Sequence, residues 1–285
     1  MKSVRICVAA ITAGVVCIAV MLGILSAAIY AENESGDSFI GLMYHQVLKD
    51  ESRAGKYIIT PNELESDLAY LSENGYVSVL PSQLVKIREQ GGRLPEKTVV
   101  ITFDDGYETG LYYVLPLLKK YGMKAVINVV GSYTDEYSRI NEEGKHLSYA
   151  YLTWNEIKKL SDSGYVEIGN HTYNMHSYNG DRNGCARKGN ESDEQYRSVL
   201  YEDVARLSDK LQQVTGKRPV AFAYPFGSLS EGSAEIIGSA GISVFMTCCE
   251  QPCSMNRNGR IVINRYNRES GRTARQICEE FNNAF

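Results

Sequence analysis

Two adjacent carboxylates follow an apolar stretch of the chain. Residues 97–103 read as a buried β-strand, which ends abruptly in Asp104, Asp105 and Gly106. Two carboxylates this close do not keep the same pKa unless something neutralises one of them. A divalent cation held by one carboxylate, with the other left free as a base, would resolve that conflict. An ordinary turn at a strand end is the alternative interpretation of these three residues.

Two of the four histidines follow a second predicted strand. His171 comes directly after residues 166–170, and His176 lies five positions further on. On a helix that spacing would place the two side chains about 140° apart, so they can share a ligand only in a turn or loop. With a carboxylate from another strand end, they would offer two nitrogens and one oxygen to a divalent metal and leave positions for water and substrate. Alternatively, the pair is structural or merely exposed.

Strands and helices alternate regularly along the chain. We predict strands at 39–44, 97–103, 125–130, 166–170, 220–224, 243–247 and 261–263. We predict helices at 61–75, 81–90, 107–121, 194–214, 230–240 and 272–285, and one that begins after Thr153. Thr60 with Glu63, and Thr153 with Glu156, have the spacing of a capping box at a helix start.

This alternation predicts a parallel sheet covered by helices, and a barrel is the closure that fits the chain length. In such a barrel the active site lies at the C-terminal ends of the strands. Residues that could do chemistry stand at these ends, namely His45, Asp104, Asp105, His171 and the turn that begins at Pro225. The polar segment 177–193 has no apolar period and is predicted to be a surface loop beside the site.

The composition limits the class of partner. The net charge is −4 and no face is dense in Lys and Arg, which argues against a nucleic acid held through phosphate contacts. Neutral or mildly polar substrates fit better, and no protein partner is evident. The 20 tyrosines would suit stacking on sugar rings, although tyrosines also serve as ordinary rim and core residues.

The N-terminus predicts a membrane segment. Lys2 and Arg5 precede an uncharged apolar run, 6–30, that is long enough to span a hydrocarbon core as a helix. This charge places residues 1–5 in the cytoplasm and the main body outside a cell membrane that the chain crosses once. We favour an uncleaved anchor over secretion by cleavage after Ala31, because Ile29 is a poor match to an Ala-x-Ala pattern. Residues 31–38 then read as a linker and 39–285 as one α/β domain.

The cysteines of this domain match no metal-ligand spacing. They are Cys185, Cys248, Cys249, Cys253 and Cys278. An odd number of cysteines in a domain outside the cytoplasm leaves at least one thiol free or paired with another molecule. The cluster at 248–253 together with Cys278 could hold a disulfide, and the pairing cannot be read from the sequence.

Three motifs occur in order along the chain. They are Thr102-Phe103-Asp104-Asp105-Gly106, His171-Thr172 with the following His176, and Tyr224-Pro225-Phe226-Gly227. Together they resemble the polysaccharide deacetylases, the NodB-homology group of carbohydrate esterase family 4. The spacing of the two histidines resembles the poly-N-acetylglucosamine deacetylase-like subgroup. The resemblance covers about 39–285 and implies a distorted (β/α) barrel of the NodB type, here preceded by one transmembrane helix, that removes acetyl groups from N-acetylated sugars.

The resemblance also implies roles for the motif residues. Asp104 would be the general base. The backbone N–H groups around Phe226 would hold the tetrahedral oxyanion, with Tyr224 and Pro225 in the same substrate-binding turn. Asp105, His171 and His176 would bind one divalent ion, with Zn²⁺ as the first choice and Co²⁺ or Ni²⁺ as alternatives.

Two of the departures of this chain from the family pattern concern catalytic residues. Ala223 stands where an arginine that braces the catalytic base is expected, and we hypothesise that Arg265 replaces it. The closing Leu-x-His motif, source of the general acid, is absent because no histidine follows His176. The stretch 42–45 resembles that motif moved to the front of the domain, as a circular permutation would do. We therefore expect His45 to be the general acid, with a satisfied histidine at a strand end as the alternative.

Three functions remain open from the sequence. The first is a membrane-anchored, extracytoplasmic, metal-dependent N-deacetylase acting on an acetylated glycan, either peptidoglycan or a poly-N-acetylglucosamine-like polymer. The second is a catalytically silent glycan-binding module on the same fold. The third is a metal hydrolase for another acyl group, such as an O-acetyl ester of xylan. Retention of both aspartates and both histidines favours an enzyme over a binding module.

Overall fold

Mostly parallel strands form one large curved sheet in the computed structural model, which describes residues 38–140, 146–179, 182–255 and 259–283. The strands are β1 (Ser38–Tyr44), β2 (Gln46–Val47), β3 (Ile58–Ile59), β4 (Val77–Ser78), β5 (Thr98–Phe103), β6 (Ala125–Val129), β7 (Val166–Asn170), β8 (Tyr178–Asn179), β9 (Arg182–Asn183), β10 (Ala221–Ala223), β11 (Val244–Met246), β12 (Cys253–Ser254), β13 (Ile261–Ile263) and β14 (Tyr266–Asn267). The main sheet runs β12-β1-β5-β6-β7-β10-β11-β13, and only the β12 to β1 pairing within it is antiparallel.

The sheet curls into a nearly closed barrel. After β13, the chain continues directly into β14, which pairs with β1 in parallel and so brings the last strand back beside the first. Gly41 in β1 permits this approach, because a Cβ atom there would lie 2.3 Å from the backbone oxygen of Asn264. The predicted α/β barrel is confirmed.

Helices cover the outside of the sheet. They are α1 (Pro61–Glu73), α2 (Pro81–Glu89), α3 (Leu115–Tyr121), α4 (Gly131–Tyr137), α5 (Trp154–Asp162), α6 (Asp193–Thr215), α7 (Ser233–Ser239) and α8 (Ala274–Asn282). The capping boxes predicted at Thr60 and Thr153 are both present, with each threonine side chain accepting from the N–H three residues later. Proline at the first position of α1 adds to the same start signal.

Side-chain alternation along the strands separates an outer core from an inner one. On β5, Val99, Ile101 and Phe103 join the cluster beneath the helices, whereas Val100 joins a cluster with Val126 inside the barrel. Residues two apart on a strand share a face, so the interior row of β5 continues to its C-terminal end. There the row reaches the mouth of the barrel and turns from apolar to polar.

Some elements differ from their prediction. The single helix predicted over 107–121 is a π-helical turn, Gly110–Val114, followed by α3. Helix α4 was not predicted, because its seven residues carry no long apolar period. The segment predicted as a loop at 177–193 contains the short β8–β9 hairpin and ends at the first residue of α6. Among the five domain cysteines, all of which are described, every thiol is free, so the suggested disulfide is not formed.

The predicted N-terminal segments, 1–5, 6–30 and nearly all of 31–38, lie outside the described residues. Within the described ranges, no helix is both long enough and apolar enough to cross a membrane.

Candidate active site

The predicted site residues meet in one pocket at the C-terminal ends of the parallel strands. Its volume is about 530 Å³. Both aspartates and three of the four histidines reach it, and these are His45, Asp104, Asp105, His171 and His176. Tyr224 and Phe226 from the predicted substrate-binding turn also line it. His146, the remaining histidine, is exposed and outside this pocket.

Asp104 continues the interior row of β5 and is almost completely buried. Arg265 is fully buried and donates a hydrogen bond to each carboxylate oxygen, from Nη1 to Oδ1 at 2.7 Å and from Nη2 to Oδ2 at 2.8 Å. Burial alone would raise the pKa of Asp104, but the Arg265 guanidinium outweighs this and lowers the pKa well below its usual range. Asp104 is therefore ionised at neutral pH and keeps a fixed orientation.

The sequence analysis assigned no role to the other partners of this ion pair. Asn128 donates from Nδ2 to Oδ1 of Asp104 at 2.8 Å, and Thr102 accepts from Arg265 Nη1 at 3.1 Å. Arg265 also donates from Nε to the backbone oxygen of Thr247 at 3.0 Å. Asn128 is a polar residue on the interior-facing row of the apolar strand β6, and this pattern in the sequence could have identified it. These bonds satisfy the buried charges, as a desolvated ion pair requires.

Asp105 reaches the same pocket because the backbone turns sharply after Asp104. Its φ is 71° and that of Gly106 is also 71°, so two consecutive residues adopt the left-handed conformation. Asp tolerates this region better than most residues. Glycine is needed at 106, because a Cβ atom would lie 3.2 Å from the Cα of Val129. Neighbouring carboxylates, which would face opposite sides of a continued strand, thus share one cleft.

His171 and His176 converge on Asp105. Nε2 of His171 lies 3.5 Å from Oδ1 of Asp105, and Nε2 of His176 lies 3.0 Å from the same oxygen. His171 is deeply buried, and its Nδ1 donates to the backbone oxygen of Ala223 at 2.8 Å. Burial lowers the pKa of His171, but the contact with Asp105 and the charge of Asp104 outweigh it and raise that pKa.

The donor set of Asp105, His171 and His176 fits a divalent metal. Within the described residues, these three are the group whose ligand atoms all lie within 4.8 Å of one another. A carbonyl oxygen can only accept, so the bond to Ala223 places the proton of neutral His171 on Nδ1 and leaves Nε2 as a lone pair facing Asp105. A lone pair aimed at a carboxylate is repulsive unless a proton or a metal ion lies between them. Two imidazoles and one carboxylate are typical ligands of a catalytic zinc.

The loop between the two histidines is strained and held from outside. Thr172 has a φ of 74°, an uncommon conformation for a β-branched residue. Its N–H donates to the side chain of Asn170 at 2.8 Å. Asp203 in α6 accepts from the N–H groups of Tyr173 at 2.7 Å and Asn174 at 2.8 Å. These contacts hold the loop in the conformation that brings both imidazoles to the pocket.

His45 follows β1 on the interior row and faces the pocket. Burial lowers its pKa, although Asp105 and Asp104 act in the opposite direction. Its ring lies 4.7 Å from that of Tyr57, and its buried Nδ1 has no hydrogen-bond partner among the described residues. His45 is therefore oriented by packing rather than by a second polar group.

The turn predicted to hold an oxyanion is a 3₁₀ turn, Pro225–Gly227, which begins one residue after the end of β10. Phe226 has a φ of 59°, again left-handed, and its ring packs 4.6 Å from that of His176. Tyr224 is buried and its hydroxyl lies 3.4 Å from that of Ser233, so only part of its side chain meets the pocket. The turn is thus positioned beside the histidine pair.

Exposed aromatic rings surround the pocket mouth. Tyr178 is 70% exposed, Tyr57 is 51% exposed and Phe226 is 43% exposed, and all three line the pocket. Tyr178 and Phe226 are in contact, with ring centroids 4.7 Å apart. Apolar rings of this kind on a pocket rim mark a ligand-binding surface.

Comparison with known proteins gives a consistent result. The family model described as polysaccharide deacetylase matches residues 91–245. The poly-beta-1,6-N-acetyl-D-glucosamine N-deacetylase of Escherichia coli (strain K12) is 27% identical over 230 residues, which cover 74% of this chain and 34% of that protein. The chain thus spans about a third of the length of this curated relative. A protein of the same name from Staphylococcus aureus (strain MRSA252) is 22% identical over 241 residues, 80% of this chain and 77% of that one.

Solved structures with the same fold are also known. A de-N-acetylase from Aggregatibacter actinomycetemcomitans superposes with a TM-score of 0.72 and 26% identity, covering 85% of this chain and 99% of that one. IcaB from Ammonifex degensii superposes with a TM-score of 0.67 and 24% identity, covering 86% and 97% of the two chains. This second likeness bears on the fold alone.

Proposed function

Because this chain belongs to the polysaccharide deacetylase family, we propose that it is a metal-dependent hydrolase that removes N-acetyl groups from the N-acetylglucosamine residues of a cell-surface polymer. The names of its curated relatives favour a β-1,6-linked poly-N-acetylglucosamine over peptidoglycan. Hydrolysis joins a water oxygen to the acetyl carbon, breaks the amide C–N bond and yields acetate and a free amine.

One observation carries the proposal. A fully paired, ionised carboxylate, Asp104, lies in the same pocket as the Asp105, His171 and His176 group. A glycan-binding module would need the aromatic rim but not a buried arginine that holds one carboxylate beside a metal-type donor set. The arrangement therefore supports an enzyme.

The metal, Zn²⁺ or in its place Co²⁺ or Ni²⁺, would be held by Asp105, His171 and His176. When bound, it would supply a water of lowered pKa and polarise the acetyl carbonyl. The neutral Nδ1–H tautomer of His171 leaves Nε2 available for this purpose.

The remaining steps belong to side chains and backbone of the pocket. Asp104 would accept the proton from the attacking water at its carboxylate, and Arg265 would keep that carboxylate ionised and aimed. Backbone N–H groups of the turn around Phe226 would donate to the oxygen that becomes negative. His45 would give a proton to the sugar nitrogen as the C–N bond breaks.

The aromatic rings at the pocket mouth suit an acetylated polymer. The rings of Tyr57, Tyr178 and Phe226 would pack on the apolar faces of sugars at the pocket mouth. We propose further that residues 6–30 anchor the chain in the cell membrane with the domain extracytoplasmic, or that the protein is secreted if this segment is cleaved.

The test is release of acetate by the purified full chain from a β-1,6-linked N-acetylglucosamine oligomer, with peptidoglycan fragments and acetylated xylan as competing substrates. We expect acetate and an equal amount of free amine from the β-1,6 oligomer, lost with a chelator and restored by Zn²⁺, Co²⁺ or Ni²⁺. Acetate from xylan alone would support an O-acetyl esterase. Oligomer binding without release of acetate would support a glycan-binding module.

A further inference from the structure

We propose that Tyr133 is a positioning residue that fixes the tautomer of His176 and thereby sets the affinity of the pocket for its metal. The inference rests on the proposed function in one respect, namely that Asp105, His171 and His176 are the metal ligands. Tyr133 lies in α4, outside the pocket lining, and none of the three sequence motifs includes it.

The hydroxyl of Tyr133 meets His176 at two points. It donates to the backbone oxygen of His176 at 2.9 Å and lies 3.3 Å from Nδ1 of the same residue. A phenol carries one proton and a carbonyl oxygen can only accept, so the proton is used on the backbone oxygen. In the second contact Nδ1 of His176 must then be the donor. With a proton on Nδ1, neutral His176 would offer Nε2, which lies 3.0 Å from Asp105, as the lone pair for the metal.

His171 is held in the same tautomer by another partner. Its Nδ1 donates to the backbone oxygen of Ala223 at 2.8 Å, which no side-chain substitution removes. For His176, the partner of Nδ1 is the side-chain hydroxyl of Tyr133, which a substitution can remove. A metal-ligating histidine is commonly oriented through its second nitrogen in this way, and loss of such a partner lowers metal affinity by about 10- to 100-fold.

Packing keeps the Tyr133 hydroxyl in place. The ring of Tyr133 lies 4.6 Å from that of Tyr151, which in turn stacks on Tyr107 at 4.9 Å. The start of α4 is bonded to the histidine loop, because the N–H of Gly131 donates to Thr172 O at 3.1 Å. A Cβ atom at Gly131 would lie 2.4 Å from the ring of Tyr173, so α4 can approach this closely only with glycine there. Helix and loop therefore hold a fixed relative position.

Tyr133→Phe tests the inference, because it keeps the packed ring and removes only the hydroxyl. We expect the dissociation constants for Zn²⁺ and Co²⁺, measured on the purified full chain by competition with a chelator, to rise by about 10- to 100-fold. The Co²⁺ absorption spectrum should shift as well, because the His176 ring is less constrained. Tyr137→Phe is the matched control. Tyr137 is in the same helix and contacts Tyr151, but its hydroxyl donates to Tyr149 O, so its metal affinity should be unchanged.

The outcomes separate this inference from the function on which it rests. Equal metal affinity in Tyr133→Phe and wild type overturns the positioning role and leaves the deacetylase proposal standing. If the wild type binds no metal, both fail. Should Tyr133→Phe not fold, a proton–nitrogen correlation spectrum of the Zn²⁺-loaded wild type decides. The Nδ1–H of His176 should be protected from solvent exchange, and rapid exchange there would overturn the role.

Discussion

At the scale of single residues, backbone strain is concentrated at the pocket. The non-glycine residues with positive φ in the described part of the chain are Asp105, Thr172 and Phe226. Each stands two or three residues after the end of an interior strand, where the chain reverses to present a side chain or an N–H group. Such conformations cost free energy and persist only where the surroundings fix them. Their location just after β5, β7 and β10 agrees with a preorganised site at the C-terminal ends of the strands.

The buried ion pair gives a prediction at this scale. Arg265→Met leaves the Asp104 carboxylate buried without its partner, so we expect the free energy of unfolding to fall by about 3–5 kcal/mol in urea denaturation. Arg260→Met is the control, because Arg260 pairs with Glu235 at 2.9 Å in an exposed position and should cost less than about 1 kcal/mol. Equal stability of Arg265→Met and wild type would mean that Asp104 does not depend on this arginine.

At the scale of elements, one carboxylate joins the parts that carry the histidine loop. Asp135 in α4 accepts from Lys210 of α6 at 2.5 Å, from Trp154 Nε1 of α5 at 2.8 Å, and from the hydroxyl of Tyr173 in the loop. Burial raises the pKa of Asp135, but these three bonds outweigh it and lower the pKa to about 2. The helices and the loop are thereby tied together by one charged group.

The depressed pKa of Asp135 predicts a pH dependence of stability. The stabilisation is complete above the unfolded pKa of about 3.9 and is lost as pH falls towards the folded value of about 2. We therefore expect Asp135→Asn to be less stable than wild type at pH 7 in urea denaturation, and the difference to shrink between about pH 4 and pH 2. Asp162→Asn, in the exposed pair with Lys158, should show little difference at either pH. A constant difference for Asp135→Asn would contradict the account.

The elements also show what the sequence can predict. Strands β5 and β7, and the capped starts of α1 and α5, follow from apolar runs and capping boxes, and the structure confirms them. The pairing of Arg265 with Asp104 joins residues 161 positions apart. The sequence suggested it only through the family pattern, because no local signal records such a contact. Helix α4 was missed, since tertiary contacts with the histidine loop rather than periodicity hold it.

At the scale of the whole molecule, the barrel puts aromatic rings on two sides of its mouth. Tyr57 precedes β3 and its ring contacts that of His45. Tyr178 begins β8, which follows β7 in the chain, and its ring contacts that of Phe226. Strands β5 and β6 separate β1 from β7 in the sheet. A polymer lying across the mouth would meet rings on both sides of the reacting sugar. The fold therefore suits a chain substrate better than a single sugar.

Tyr178→Ala tests this arrangement. We expect KM for a long β-1,6-linked oligomer to rise by about 2- to 10-fold with kcat nearly unchanged, because a stacking contact contributes about 0.5–1.5 kcal/mol. KM for a short oligomer that does not reach Tyr178 should change little. Tyr149→Ala is the control, since Tyr149 is similarly exposed at 54% but does not line the pocket. An equal effect on short and long oligomers would contradict a polymer lying across the mouth.

The central claim is that Asp104 acts on water beside a metal held by Asp105, His171 and His176. Its most direct test is Asp104→Asn in the full chain, with Zn²⁺ affinity and acetate release from a β-1,6-linked oligomer measured on the same preparation. We predict that Zn²⁺ still binds, because none of its three ligands is changed, and that acetate release falls by about 10²- to 10⁴-fold. Acetate release at the wild-type rate by Asp104→Asn would contradict the account.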